Sequence, residues 1–246
     1  MKKQLIFISL LISIAINAQG TIESNSPYSA LRYHYFVNTL LFFNEYLDTD
    51  NGSYNTTQMR LLVPIGSKAW NLRFDLPLIS ANTNSDNKTG LGDVGAGISY
   101  IPYREINNAF AFRVKVSANS AVDPNLGSGK WVIMPAVFFS SYLKEKKLVW
   151  LTSIEYQASF AGSSQRSDVS VIVGENTLLY FFGKNWISGD VAFRYNTVLE
   201  GFQNNAFLEF GRKITPDNLI YIHPSTAFGG KKSYNYGIEA GILILF

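Results

Sequence analysis

Residues 90–95, Gly90-Leu91-Gly92-Asp93-Val94-Gly95, have the G-x-G-x-x-G spacing that cradles a pyrophosphate when a buried strand precedes it and a helix follows. Neither flank fits. Ser80 to Thr89 is polar and loop-like, while Val94, Ala96, Ile98 and Tyr100 recur every second residue, which is a strand. In that phase Asp93, Gly95, Gly97 and Ser99 share the inner face, where glycine leaves room for a neighbouring side chain or a ligand. Nucleophilic catalysis would need a base, and the chain has two histidines, His34 and His223, neither in a lipase-like motif. Both are expected as packed or hydrogen-bonded strand residues. Two histidines and no cysteine give no transition-metal set, and Asp48-Thr49-Asp50-Asn51-Gly52-Ser53 lacks the distal glutamate of a calcium loop, so neither metal nor cofactor is expected.

The elements that carry these residues follow from composition. Met1-Lys2-Lys3, an apolar run from Leu5 to Ile16 and the small Ala18 have the layout of a cleaved export signal, residues 1–18, followed by one domain, residues 19–246. The absence of cysteine fits an exported protein without disulfides, and a net charge of +3 offers no basic field for nucleic acid. Aromatic residues make up 15 % of the chain and charged ones only 16 %. An exported chain this apolar, without a long hydrophobic helix after the signal, points to a membrane-spanning barrel.

The alternation supports this reading. Trp70 to Leu76, Phe110 to Ser117, Ile187 to Asn196 and Tyr236 to Ile244 each alternate apolar with polar or small residues. The phase predicts an all-β chain: a transmembrane antiparallel up-and-down β-barrel of about 12 strands. They are placed at 34–46, 57–66, 69–79, 91–102, 109–119, 130–143, 148–160, 168–182, 186–196, 205–213, 218–228 and 235–246, with a bulge near Gly174-Glu175 in the eighth. Short connections alternate with longer polar ones at 47–56, 80–90, 120–129, 161–167, 197–204 and 229–234. That is the outer-membrane pattern, with both termini on the periplasmic side. A soluble β-sandwich or lipocalin-like barrel also alternates, but many strands here are long enough to cross a bilayer when tilted. Phe246 ends the last strand in phase with Ile244 and Ile242, like the terminal signal read by the barrel assembly machinery.

Within such a barrel Arg60, Arg73, Arg113, Lys115, Arg194 and Lys213 point inward, as do Asp75, Asp93, Glu155, Asp190, Glu209 and Glu239. Six bases against six acids make a balanced lumen, either a filled ion-pair network or a narrow polar path, and not a one-sign filter.

Residues 90–94, Gly-Leu-Gly-Asp-Val, with Gly127-Ser128-Gly129-Lys130-Trp131 and the final strand, resemble the transporter-like outer-membrane barrel family named for the MetA pathway of phenol degradation. There one G-L-G-D-[VL] element opens a strand after a polar loop and a later G-[ST]-G-x-[WY] element opens another. Gly90, Gly92, Asp93, Gly129 and Trp131 carry the match. The resemblance implies passage of small solutes, aromatic or hydrophobic compounds among them. About fifteen residues, Gln19 to Tyr33, precede the first strand, which is too few for a plug domain.

The expectation is a passive outer-membrane channel, not an enzyme, with membrane lipid, the assembly machinery and small solutes as partners. Two alternatives are a closed structural or surface-binding barrel and a lipid-acting enzyme with His34 or His223 beside a serine and a carboxylate at the lipid edge.

Overall fold

The computed structural model describes residues 27–30, 32–66, 69–85 and 87–246, so the proposed leader at 1–18 lies outside the described residues. Twelve strands make the wall: β1 (Thr39–Thr49), β2 (Gly52–Ile65), β3 (Trp70–Thr83), β4 (Asn87–Leu91 continued by Gly95–Arg104), β5 (Asn108–Ser117), β6 (Lys130–Leu143), β7 (Leu148–Gly162), β8 (Ser170–Phe182), β9 (Asn185–Asn196), β10 (Gly201–Phe202 continued by Asn204–Lys213), β11 (Asn218–Phe228) and β12 (Tyr236–Leu245). Each strand pairs antiparallel with its neighbours in sequence, and β1 closes on β12 from Thr39↔Leu245 to Asp48↔Tyr236. The protein is a closed twelve-stranded up-and-down barrel without a free edge.

Its outside is apolar. On β3, Phe74, Leu76 and Leu78 are 48, 39 and 45 % exposed, whereas Asp75 between them is 6 % exposed. A soluble barrel has the reverse pattern, so this wall is built to face lipid. Aromatic pairs add to the outer surface, Trp131 with Phe160 and Tyr180 with Phe182 among them.

Four expectations need correction. First, β1 begins at Thr39 rather than at residue 34, because the chain before it turns into the lumen. Tyr28 and Phe36 pack on Ile101, Ala109, Ala111 and Leu151, and Ala30 joins Leu179, Trp186, Leu219 and Leu243. The Tyr28 hydroxyl donates to the Phe138 carbonyl at 3.4 Å, and Asn71 Nδ2 donates to the Tyr35 carbonyl at 2.8 Å. A short segment, residues 27–30 and 32–38, therefore stoppers the short-turn end, although it is smaller than a plug domain. Tyr33, Tyr35 and Val37 alternate with His34, Phe36 and Asn38 as a strand would, but here a buried apolar end wins over strand pairing.

Second, two of the expected long loops, 47–56 and 80–90, are strand. Thr49↔Gly52 and Asn82↔Asn87 remain paired, so β1 with β2 and β3 with β4 project as polar hairpins. Asn44 Nδ2 donates to Asn55 Oδ1 at 2.7 Å and to Thr57 Oγ1 at 2.9 Å, which shows how loop-like residues hold a sheet. Third, β8 keeps one register past Gly174 on both sides, so the expected bulge is absent there. Its inner face carries Val171 and Val173 at one end and Leu179 in the stopper cluster at the other, which hid the phase. Fourth, an irregularity instead lies in β4: Leu78↔Leu91 and Asp75↔Gly95 leave three residues, Gly92 to Val94, opposite two on β3.

Candidate functional site

The lumen carries the charges, and strand register arranges them. Arg60 and Asp75 are direct partners across β2 and β3, and Arg73 lies two residues from Asp75 on the same face. Asp75 accepts Gln58 Nε2 at 2.8 Å and Arg60 Nε at 2.7 Å on one oxygen and Arg73 Nε at 2.7 Å on the other, with Lys115 Nζ 3.6 Å away. Gly95 borders this cluster, and a Cβ there would sit 3.4 Å from the Asp75 Cβ and 3.6 Å from Lys115 Cε, in ordinary van der Waals contact, so the expected spare room beside it is small. Arg113 reaches Glu155 at 2.6 Å over the intervening Ala136, which pairs with both and is small enough to be bridged. The result is a wall of four cations on β2, β3 and β5, three gathered around Asp75 and the fourth, Arg113, on Glu155.

Across the barrel the balance reverses. Glu45 and Glu239 are direct partners on β1 and β12, and His223 on β11 is the other partner of Glu239. Tyr221 Oη donates to Glu239, and Thr177 Oγ1 donates to Asp190. Glu209, 1 % exposed, accepts Trp186 Nε1 at 2.6 Å and lies 2.8 Å from Arg32 Nε of the stopper. Gly211 lets the indole lie flat, since a Cβ there would fall 1.9 Å from Trp186 Cζ2. His223 Nδ1 is 3.6 Å from Glu209 and its ring stacks on Phe207 at 4.5 Å. The imidazole thus faces the lumen among carboxylates, and His34 lies buried in the stopper. Arg194 Nε donates to Asn205 Oδ1 at 3.0 Å.

The lumen is not filled. A cavity of about 390 Å³ is lined by Arg60, Arg73, Arg113, Lys115 and Glu155 on one side and by Glu175, Glu239, His223, Arg194 and Arg32 on the other. A second, of about 210 Å³, shares Arg60, Arg73, Arg113 and Glu175 with it and abuts the stopper at Arg32, Tyr33 and His34. At the long-loop end a third, of about 380 Å³, is bordered by Asn51, Asn84, Asn125 and Arg166.

Ten of the twelve residues expected in the lumen lie in or beside this charged belt: Arg60, Arg73, Asp75, Arg113, Lys115, Glu155, Asp190, Arg194, Glu209 and Glu239. Lys213 shares the inward phase, opposite Leu219, but sits at the short-turn end, where its backbone N–H donates to the Lys184 carbonyl. Asp93 leaves the belt altogether. Its carboxylate accepts the N–H groups of Ser120 and Ala121 at 3.0 Å and of Ser128 at 2.7 Å, and the Ser128 hydroxyl at 2.9 Å. The extra residue in β4 swings it out of strand phase and onto the loop 118–129.

The motif glycines serve the same docking. A Cβ on Gly90 would lie 2.5 Å from Val122 Cγ2, and one on Gly92 would lie 3.0 Å from the Leu126 carbonyl oxygen. Gly129, with φ +70°, lies under Arg166, whose Nη2 donates to the Gly127 carbonyl at 3.0 Å. Trp131 points to the lipid side. Beyond Asp93, the Asn125 amide and the Lys88 ammonium hold the Asp123 carboxyl below the usual carboxylate range, so the cap of the Pro124–Leu126 turn stays ionised. Replacing Asp93 by alanine strands several loop amides at a cost of about 3 kcal/mol. Limited proteolysis of the inserted protein should cut 118–129 faster while the barrel stays intact; unchanged cleavage would sink this assignment.

Arg32, Glu45, Glu175 and His223 were missed as members of the belt. Glu45 follows Leu41 and Phe43 on an inner face that is apolar near the stopper, so alternation alone reads that face as outward. Arg32 belongs to no strand.

A lipid-facing wall around a charge-lined lumen with open cavities, stoppered at one end, defines a porin-like β-barrel of the outer-membrane type. No protein family matches the chain by sequence, and no curated protein does. Among solved structures it is similar to the COG4313 outer membrane channel from Pseudomonas putida F1, with a TM-score of 0.73 and 12 % identity over 93 % of this chain and 100 % of that one. The KdgM porin, also solved in complex with disordered oligogalacturonate, gives a TM-score of 0.60 and 10 % identity over 85 % of this chain and 99 % of the other. At such identities the likeness is one of fold.

Proposed function

We propose that the protein is a channel of the bacterial outer membrane that admits small solutes through the long-loop mouth, with residues 27–38 as its stopper. The observation that carries this reading is the pair of adjoining polar cavities inside the barrel, the second of which abuts the stopper at Arg32, Tyr33 and His34. Neighbours of the same fold that are described as a channel and a porin support it. An even strand number puts both ends of the barrel chain at the short-turn rim, which fits periplasmic termini, an export leader at 1–18 and recognition of Phe246 by the assembly machinery.

The solute in this reading is small and polar. The MetA-pathway resemblance implies aromatic or hydrophobic compounds, but guanidinium and carboxylate groups line both inner cavities and favour hydrated solutes. A second reading, a permanently closed barrel, rests on the buried stopper itself. Swelling of proteoliposomes in isotonic small solutes separates the two. The channel reading expects leak above protein-free vesicles; no leak to any small solute would leave the closed barrel.

A further inference from the structure

The two walls of the central cavity carry opposite charge. Asp75 is shared by Arg60, Arg73 and Lys115, so the β2 to β5 side holds more positive than negative charge. Glu45 meets Glu239 as a direct strand partner, and Glu175 and Asp190 lie on adjacent strands two rows apart; with Glu209 these make five carboxylates against the two cations of that side, Arg32 and Arg194, so the facing side holds an excess of carboxylate. Arg113 and Glu155 join the walls along one edge only. Elsewhere the sides are separated by the cavity of about 390 Å³, which lies within the volume range of small-molecule sites. The opposed charges set up a field across the pore, perpendicular to its axis.

From this geometry we infer that the cavity selects small zwitterions: molecules that carry an ammonium and a carboxylate a few ångströms apart, as free α-amino acids do. The inference rests on the channel reading and names its solute. A zwitterion turns its carboxylate to the Arg60, Arg73 and Lys115 side and its ammonium to the Glu175 and Glu239 side, so both charges lost from water are replaced. An anion or a cation is matched by one wall and faces like charge on the other. A polyol gains from neither. The mouth around Asn51, Asn84 and Asn125 is polar and carries Arg166, whose guanidinium donates to the Gly127 carbonyl; an overall neutral solute meets no net repulsion there.

The test is uptake of labelled alanine, glycerol, lactate and propylammonium, solutes of similar size, into proteoliposomes holding the full chain. Two charge contacts in a low-dielectric lumen are expected to favour alanine over glycerol by about fivefold or more. Glu175→Gln with Glu239→Gln, or Lys115→Gln alone, should each bring alanine down to the rate of glycerol measured in the same vesicles. Glycerol entry thereby reports that the variant barrel is folded, and if the double variant fails to insert, Lys115→Gln decides. Entry of none of the four overturns the channel reading itself. Equal entry of alanine and glycerol into wild-type vesicles leaves the channel standing and overturns the zwitterion inference, as does lactate or propylammonium entering faster than alanine.

Discussion

Replacing Arg32 by glutamate is expected to convert a mostly closed barrel into a mostly open one. Arg32 is the one stopper residue whose charge is engaged in an ion pair with the wall among the described contacts, 2.8 Å from Glu209, with its guanidinium over the Tyr221 ring at 4.8 Å. Glu209 is almost fully buried, so removing Arg32 leaves its carboxylate with the Trp186 N–H and the His223 ring beside it but without its guanidinium counter-charge. Such losses cost about 3–5 kcal/mol, and the new carboxylate adds repulsion. The cost falls only on the seated stopper, so the equilibrium shifts toward withdrawal by about a hundredfold or more. Tyr28 and Phe36 oppose the shift, because their apolar burial is untouched. Open probability in planar bilayers measures the effect, and Arg32→Lys, which keeps the charge but loses the planar fork, should fall between the two. Equal open probability for Arg32→Glu and wild type would mean that residues 27–38 do not gate the lumen.

Asp75→Asn is expected to destabilise the barrel more than any other single change in the wall. The aspartate answers three cations, two of them at 2.7 Å, and is itself 6 % exposed. Asparagine keeps the shape and one acceptor oxygen but leaves Arg60, Arg73 and Lys115 crowded without a counter-charge. The loss is about 3–5 kcal/mol, read as a lower urea midpoint for unfolding from detergent or lipid. Added salt should recover part of it, because screening weakens repulsion among the remaining cations. Combining Asp75→Asn with Lys115→Gln should recover part as well. A midpoint unchanged from wild type, or one that salt lowers further, would contradict the description of Asp75 as the hub of that wall.

The barrel was readable from the sequence because lipid on one side and water on the other impose a period of two on every strand. Phe74, Asp75 and Leu76 display it in three residues. Legibility failed where that contrast vanishes. On β1, Leu41 and Phe43 are apolar yet inward because they meet the stopper, and Glu45 was lost with them. On β8, Val171 and Leu179 are inward for two separate reasons at two ends. At the tips of β1 to β4, Asn55, Thr56 and Thr89 have the composition of loop while pairing as sheet. Asp93 has the residue type of a lumen charge, and only the extra residue beside it determines that it holds a loop. Arg32 is ordinary in sequence; what it does depends on a tertiary burial that no local pattern records.

The extra residue at Gly92 to Val94 also works as a parity switch. Above it Leu78 pairs with Leu91, below it Asp75 with Gly95, and the sum of partner numbers changes by one between the two stretches. Everything from Gly95 to Tyr100 keeps its facing because of that count. Were the upper pairing to run on through the present sequence without the bulge, Val94 would stand opposite Asp75, Ile98 would turn toward the lumen and Ser99 toward lipid. The lower half of β4 therefore depends on the bulge being kept, while the loop above it depends on the identity of Asp93.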